Sequence, residues 1–170
     1  IVCWQQYSGG GCLAMSLMKT NLFKNALASP RMVSFLKRVV PPLDKFLLRC
    51  SRGYMNTAMQ PVALLTTVGA KSGETRQIAT LCMPLADGFL LVGSNWGADR
   101  DPAWVHNLRA NPQCKATYRG YVGAMTAREL KGAERSAIWK HLVRFNPQYA
   151  RYQAGTSRRL PVLVLSRNEG

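Results

Sequence analysis

One change of hydrophobic period limits what this chain can become. Up to Arg52 the apolar residues recur near helical spacing: Phe35, Val39 and Leu43, then Phe46, Leu47 and Cys50. From Val62 onward they fall into short runs divided by turn residues. Val62–Val68 reads as a buried strand ended by Gly69, and Gln77 to Leu85 as a second strand. Asp87-Gly88 makes a hairpin turn, and Phe89 to Gly93 returns as a third strand. Lys115 to Tyr118 and Val122 to Leu130 form another hairpin around Arg119-Gly120-Tyr121, and Pro161 to Leu165 is a final strand. Two helical stretches are set among these strands. Asp101 caps a helix with Pro102 at its first position, which Asn111-Pro112 ends. Glu134 to Phe145 carries Ile138, Trp139, Leu142 and Phe145 on one face, and Pro147 to Gln153 adds a turn or two. Hairpin-linked strands with helices inserted late give an α+β fold with an antiparallel, barrel-like sheet.

The segment before the strands is basic. Lys19, Lys24, Arg31, Lys37, Arg38, Lys45, Arg49 and Arg52 stand against one acid, Asp44, and Pro41-Pro42 is expected to break or kink the helix. Residues 1–17 read as a tail, residues 18–55 as a basic amphipathic helical segment, and residues 56–170 as the barrel domain. The amphipathic segment could pack on the barrel or lie on an anionic membrane surface. The net charge of +15 favours anionic partners generally. No nucleic-acid motif accompanies it. The five cysteines form no paired or zinc-like spacing, so reduced thiols in a cytoplasmic setting are expected.

The catalytic inventory is thin. Two histidines, His106 and His141, and eight acids leave no metal site, no carboxylate pair and no nucleophile elbow, so an enzyme here would borrow its reactivity from a cofactor. Lys71-Ser72-Gly73 with Arg76 offers backbone donors, a hydroxyl and two cations between two strands, suited to phosphate or carboxylate oxygens. Ser94-Asn95-Trp96-Gly97 leads from a strand toward a helix N-terminus, another place for anions. Trp104, Asn107 and Leu108 share one helix face, where Asn107 needs a partner, backbone or ligand. Tyr149 and Tyr152 stand one turn apart and could sandwich a planar molecule.

Leu64–Arg76 together with Gly93–Gly97, Pro102–Trp104, Asn107–Pro112, Glu134-Arg135, Pro147–Gln153, Thr156–Arg158 and Pro161–Leu165, in this order, resembles the deazaflavin-dependent nitroreductases and F420H2-dependent quinone reductases. The resemblance implies an FMN-binding split-barrel-like fold. It implies hydride transfer from reduced coenzyme F420, with FMN the lesser cofactor, to a small-molecule quinone, nitroaromatic or activated enone. Lys71, Ser72 and Arg76, helped by Ser94 and Asn95, would hold the phosphate and polyglutamate tail. Trp104, Asn107 and the strand Ile78, Ala79, Thr80 and Leu81 would frame the ring. Tyr149 and Tyr152 would line the substrate side, either of them able to supply a proton. The chain is expected in the cytoplasm, with peripheral placement at the inner face of the cell membrane as an option that the basic segment opens; the oligomeric state is left open. The chain departs from the family pattern at Ala70 and Ala79, and carries Leu81, Val105 and Asn146 where some relatives have aromatics. A more aliphatic pocket formed by Leu81 and Val105 would suit the alternative, a non-catalytic lipid or fatty-acid carrier on the same barrel.

Overall fold

The computed structural model describes residues 30–57 and 60–168. The expected tail over residues 1–17, and the start of the basic segment, lie outside the described residues. The chain divides into two units between Val40 and Pro41; the barrel and everything below belong to the second.

Helix α1 spans Pro30–Cys50. It runs on through Pro41-Pro42, so the expected break does not occur there: proline's fixed φ is itself helical, and the cost falls on the two missing N–H donors. In the second unit α1 is anchored by Leu48, 0% exposed, which packs on Val62 and Leu64 of strand β1 (Val62–Val68) and against Ala79 and Leu81. Asp44 Oδ1 accepts a hydrogen bond from the Thr57 amide at 2.7 Å. The chain then turns at Gly53, where φ is +87° and an added Cβ would stand 2.6 Å from the Tyr118 Cα. Only glycine fits so close an approach at that backbone angle.

Strands β2 (Thr75–Leu85), β3 (Gly88–Val92), β4 (Gln113–Tyr118), β5 (Tyr121–Glu129) and β6 (Val162–Arg167) complete a closed barrel in the order β1-β2-β3-β6-β5-β4. Every pairing is antiparallel. The period-two alternation sorts the side chains of β3: Phe89 and Leu91 join one core with Leu65, Met125 and Leu163, while Leu90 and Val92 join another with Leu142, Tyr149 and Leu160. Helix α2 (Ala103–Ala110) adds Trp104, Val105 and Leu108 to the first core. Helices α3 (Gly132–Phe145) and α4 (Gln148–Ala154) cover the second.

Asp101 does not cap α2. Pro102 occupies the cap position with no side-chain bond, because the Asp101 carboxylate is taken by two arginines, Arg109 and Arg158, both at 2.6 Å. Arg135, read from sequence only as part of a motif, is buried on α3. It donates to the Leu160 carbonyl and lies 4.7 Å over the Trp139 ring. Burial pushes its ionisation below the usual arginine range.

Candidate functional site

The turn between β1 and β2 is built to expose donors. The Gly69 amide bonds the Glu74 carbonyl at 2.8 Å and the Gly73 amide bonds the Gly69 carbonyl at 2.8 Å, closing a tight loop. Asn107 pins that loop from α2. Its Oδ1 accepts from the Ala70 amide and its Nδ2 donates to Thr67 Oγ1, both at 3.0 Å. The Asn107 side chain is therefore satisfied by protein, and it acts on the turn by holding it. Lys71 and Ser72 sit at the tip, and their amides donate to no described residue. Arg76 pairs with Glu74 at 2.6 Å, but both side chains are more than half exposed, so the pair is weak and can be exchanged for another anion.

This turn lines one half of a cleft of about 1240 Å³, whose opposite edge carries Lys45 and Arg49 of α1. Arg49 donates to Gln77 Oε1 across the opening, and Gln77 is held in turn by Thr66 Oγ1. The other half, about 490 Å³, is lined by Ile78, Ala79, Thr80, Leu81, Ser94, Asn95, Trp96, Trp104, Asn146, Tyr149 and Tyr152. Lys45, Ile78 and Trp104 line both halves, so the two join end to end.

Between them runs an open strand edge. Residues Thr75–Leu81 of β2 pair with β1, whereas β3 takes up β2 only from Cys82 to Leu85. Over the unpaired stretch, alternate residues turn their N–H and C=O groups away from β1 with no strand to receive them among the described residues. Ile78 to Leu81 also line the cleft, so a planar ring with hydrogen-bonding edges could take the place of the missing strand.

The aromatic wall is partly buried. Tyr149 is sunk against Trp139, ring centroids 6.5 Å apart. Burial pushes its phenol up to about 12, with the Asn146 hydrogen bond pulling the other way, so the hydroxyl keeps its proton at neutral pH. Tyr152 meets Trp96 edge-on at 6.4 Å. Val105 is fully buried in the barrel core and does not reach the cleft, so the aliphatic wall expected from Leu81 and Val105 does not form.

A family model described as F420H(2)-dependent quinone reductase matches residues 48–167. The chain belongs to that family. An F420H(2)-dependent quinone reductase of Mycobacterium tuberculosis is 32% identical over 118 residues, 68% of this chain and 79% of that protein. Among solved structures, an F420-H2 dependent reductase (FDR-A) is 37% identical with a TM-score of 0.57, over 62% of this chain and 94% of that one. A chain described as a domain-swapped dimer matches at 37% identity and a TM-score of 0.58, over 62% and 80% respectively. The family's members are oxidoreductases and its cofactor is coenzyme F420. The cleft of this family member fits that group in its parts: a cation-rich half for an anionic tail, and an open strand edge beside aromatic rings for a deazaflavin.

Each residue that the resemblance assigned to the coenzyme or the substrate side lines one half or the other, whereas Val105 and Leu108 lie in the barrel core. Lys71, Ser72, Arg76 and Asn107 line the cationic half, and Ala79, Thr80, Leu81, Ser94, Asn95, Tyr149 and Tyr152 the aromatic half; Ile78 and Trp104 join them. Sequence reasoning missed Lys45 and Arg49 as cleft residues. Their four-residue spacing put them on one helix face, but nothing in the sequence said that this face looks onto the cleft. Trp96, read from sequence only as part of the loop before α2, is a wall residue too, and Asn146 lines the wall at one of the positions where some relatives have aromatics.

Proposed function

We propose that the protein is an F420H2-dependent reductase acting on planar electron acceptors of the quinone class, with nitroaromatics and activated enones as further acceptors. The observation that carries this reading is the unpaired β2 edge, Thr75–Leu81, lying between a cation-rich turn and an aromatic wall. When bound, reduced F420 supplies the hydride. Lys71, Arg76 and the turn amides hold the phosphate and the anionic tail, with Ser94 and Asn95 nearby. The Ile78–Leu81 edge orients the ring and Trp104 backs it, excluding water from one side. Tyr149 and Tyr152 face the acceptor. Turning a quinone into a hydroquinone takes one hydride and one proton. A phenol held protonated, as in Tyr149, serves as the hydrogen-bond donor to the acceptor oxygen, and Tyr152 or solvent delivers the proton.

Fluorescence titration with oxidised F420, and with FMN in parallel, tests the assignment without turnover. Selective F420 binding that weakens at least about tenfold in Arg76→Ala, and hardly changes in Tyr149→Phe, is expected, since a charge-assisted phosphate contact is lost in the first and only a hydroxyl in the second. Equal affinities for wild type and Arg76→Ala would remove Arg76 from the site.

The same reading includes docking at an anionic bilayer surface. Leu43, Phe46, Tyr54 and Met55 are exposed around the end of α1, interspersed with Lys45, Arg49 and Arg52 in a chain of net charge +15. Among the described residues no helix is long and apolar enough to cross a membrane. Flotation with vesicles of anionic and of neutral phospholipid separates this surface from non-specific adhesion.

A further inference from the structure

The loop from β3 to α2, whose Ser94 and Asn95 are assigned to the coenzyme, carries a further feature at Trp96. Asn95 and Trp96 are consecutive non-glycine residues at positive φ, 45° and 57°. That region crowds an L side chain against its own backbone. The indole of Trp96 gains no burial in return; the residue is 74% exposed, at the aromatic half of the cleft and edge-on to Tyr152.

Arg158 accounts for how this arrangement persists. Its Nε donates to the Ala98 carbonyl at 2.7 Å, and its Nη2 to the Gly93 and Ser94 carbonyls at 3.1 and 2.8 Å. Those carbonyls lie on both sides of the strained pair. Its Nη1 is fixed by Asp101 Oδ1 at 2.6 Å, and the other Asp101 oxygen is held by Arg109, itself on both Glu129 oxygens at 2.7 and 2.8 Å. The Arg158 side chain is only 14% exposed. A second tie, Thr156 Oγ1 to Asp99 Oδ1 at 2.8 Å, secures the same loop. A part-buried guanidinium with four hydrogen bonds therefore holds the loop that carries this ring.

We propose that Trp96 is a specificity-determining residue for the acceptor, its indole forming with Tyr152 an aromatic rim that favours ring-extended planar acceptors over compact ones, and that Arg158 is the positioning residue that holds it there. The proposal rests on the reductase reading above. Exposed aromatic faces and edges attract planar rings in proportion to the area covered, so a two-ring acceptor gains from the rim where a single ring seated deeper does not. The rim shares the aromatic half with Ser94, Asn95 and the Ile78–Leu81 edge, but the cations Lys71 and Arg76 line the other half, so losing the Trp96 ring should leave the coenzyme's charged contacts in place.

The variants are Trp96→Gly, Trp96→Phe and Arg158→Lys. Glycine suits the backbone angle at position 96, so the loop can keep its path without the ring. The readouts are steady-state kinetics with a naphthoquinone and a benzoquinone, the affinity for oxidised F420, and quenching of tryptophan emission by the naphthoquinone in protein lacking coenzyme. Trp96→Gly is expected to raise KM for the naphthoquinone about tenfold while leaving the benzoquinone KM and the F420 affinity within about twofold, and to lose most of the quenching. Trp96→Phe should restore most of the KM. Arg158→Lys keeps the charge but cannot reach three carbonyls at once, so it should reproduce the naphthoquinone defect with kcat little changed. Equal KM changes for both quinones, or an F420 affinity that falls as far as KM rises, would overturn the proposal. If wild type oxidises reduced F420 with neither quinone, the reductase reading itself fails. In that case retained quenching in wild type, lost in Trp96→Gly, would still place planar rings at the rim, and its absence would dismiss both.

Discussion

At the scale of single residues, Asn107 shows how a polar group on an apolar helix face is spent. It sits 37 residues from Ala70 and 40 from Thr67, and it bonds both. Removing it leaves the buried Thr67 hydroxyl and the Ala70 amide without their partner. Asn107→Ala should therefore cost about 2–3 kcal/mol in urea unfolding, and loosen F420 binding by freeing the turn that carries Lys71. A stable variant with wild-type affinity would mean that the turn holds itself. The sequence showed that Asn107 needed a partner. It could not show which, because the partner comes from a strand that neighbours α2 only in the folded chain. Asp101 has the same history: its place before Pro102 reads locally as a cap, and long-range arginines outbid the local role.

At the scale of elements, the strands were legible and the helix orientation was not. Alternation of apolar residues and the turn residues at Asp87-Gly88 and Arg119-Gly120 mark the hairpins directly; the observed strands start one or two residues earlier than read, and β3 and β5 end one residue sooner. Helix α1 is amphipathic in two senses that composition cannot separate. Leu48 holds it to the barrel, Lys45 and Arg49 face the cleft, and Leu43 and Phe46 remain exposed. If this last face meets lipid, Phe46→Ser should reduce flotation with anionic vesicles several-fold, leaving the urea midpoint unchanged because the side chain is already 63% exposed. Unchanged flotation would assign the exposed face to something other than a bilayer.

At the scale of the molecule, burial links the barrel to pH. Cys82 and Cys114 are shut into the core, and burial pushes their thiols from 9.0 up to about 12 and about 11; Tyr149 rises from 10.0 to about 12. The unfolded chain would ionise these groups first. Their contribution is whole below about pH 9 and drains away as pH climbs toward the folded values. The urea midpoint should thus fall between about pH 9 and pH 11, and fall less in a Cys82→Ala, Cys114→Ala variant; identical slopes would show that other groups set the alkaline limit. Closure itself was the least legible property of the residues. Each strand announces itself locally and the hairpin pattern points to a barrel-like sheet, but the order that seats β6 between β3 and β5 depends on pairings that span much of the chain. That seating has a consequence for synthesis. A ribosome extrudes five strands before Val162 emerges, and until it does the nascent sheet presents two raw seams at once, along Gly88–Val92 and along Met125–Glu129. The β2 edge that we propose for the coenzyme, Thr75–Leu81, is neither of those seams. A message cut short before the codon for Val162 would yield a sticky open ring of five strands in place of a weakened enzyme, so its toll would fall on the cell's chaperones and not only on the reaction lost.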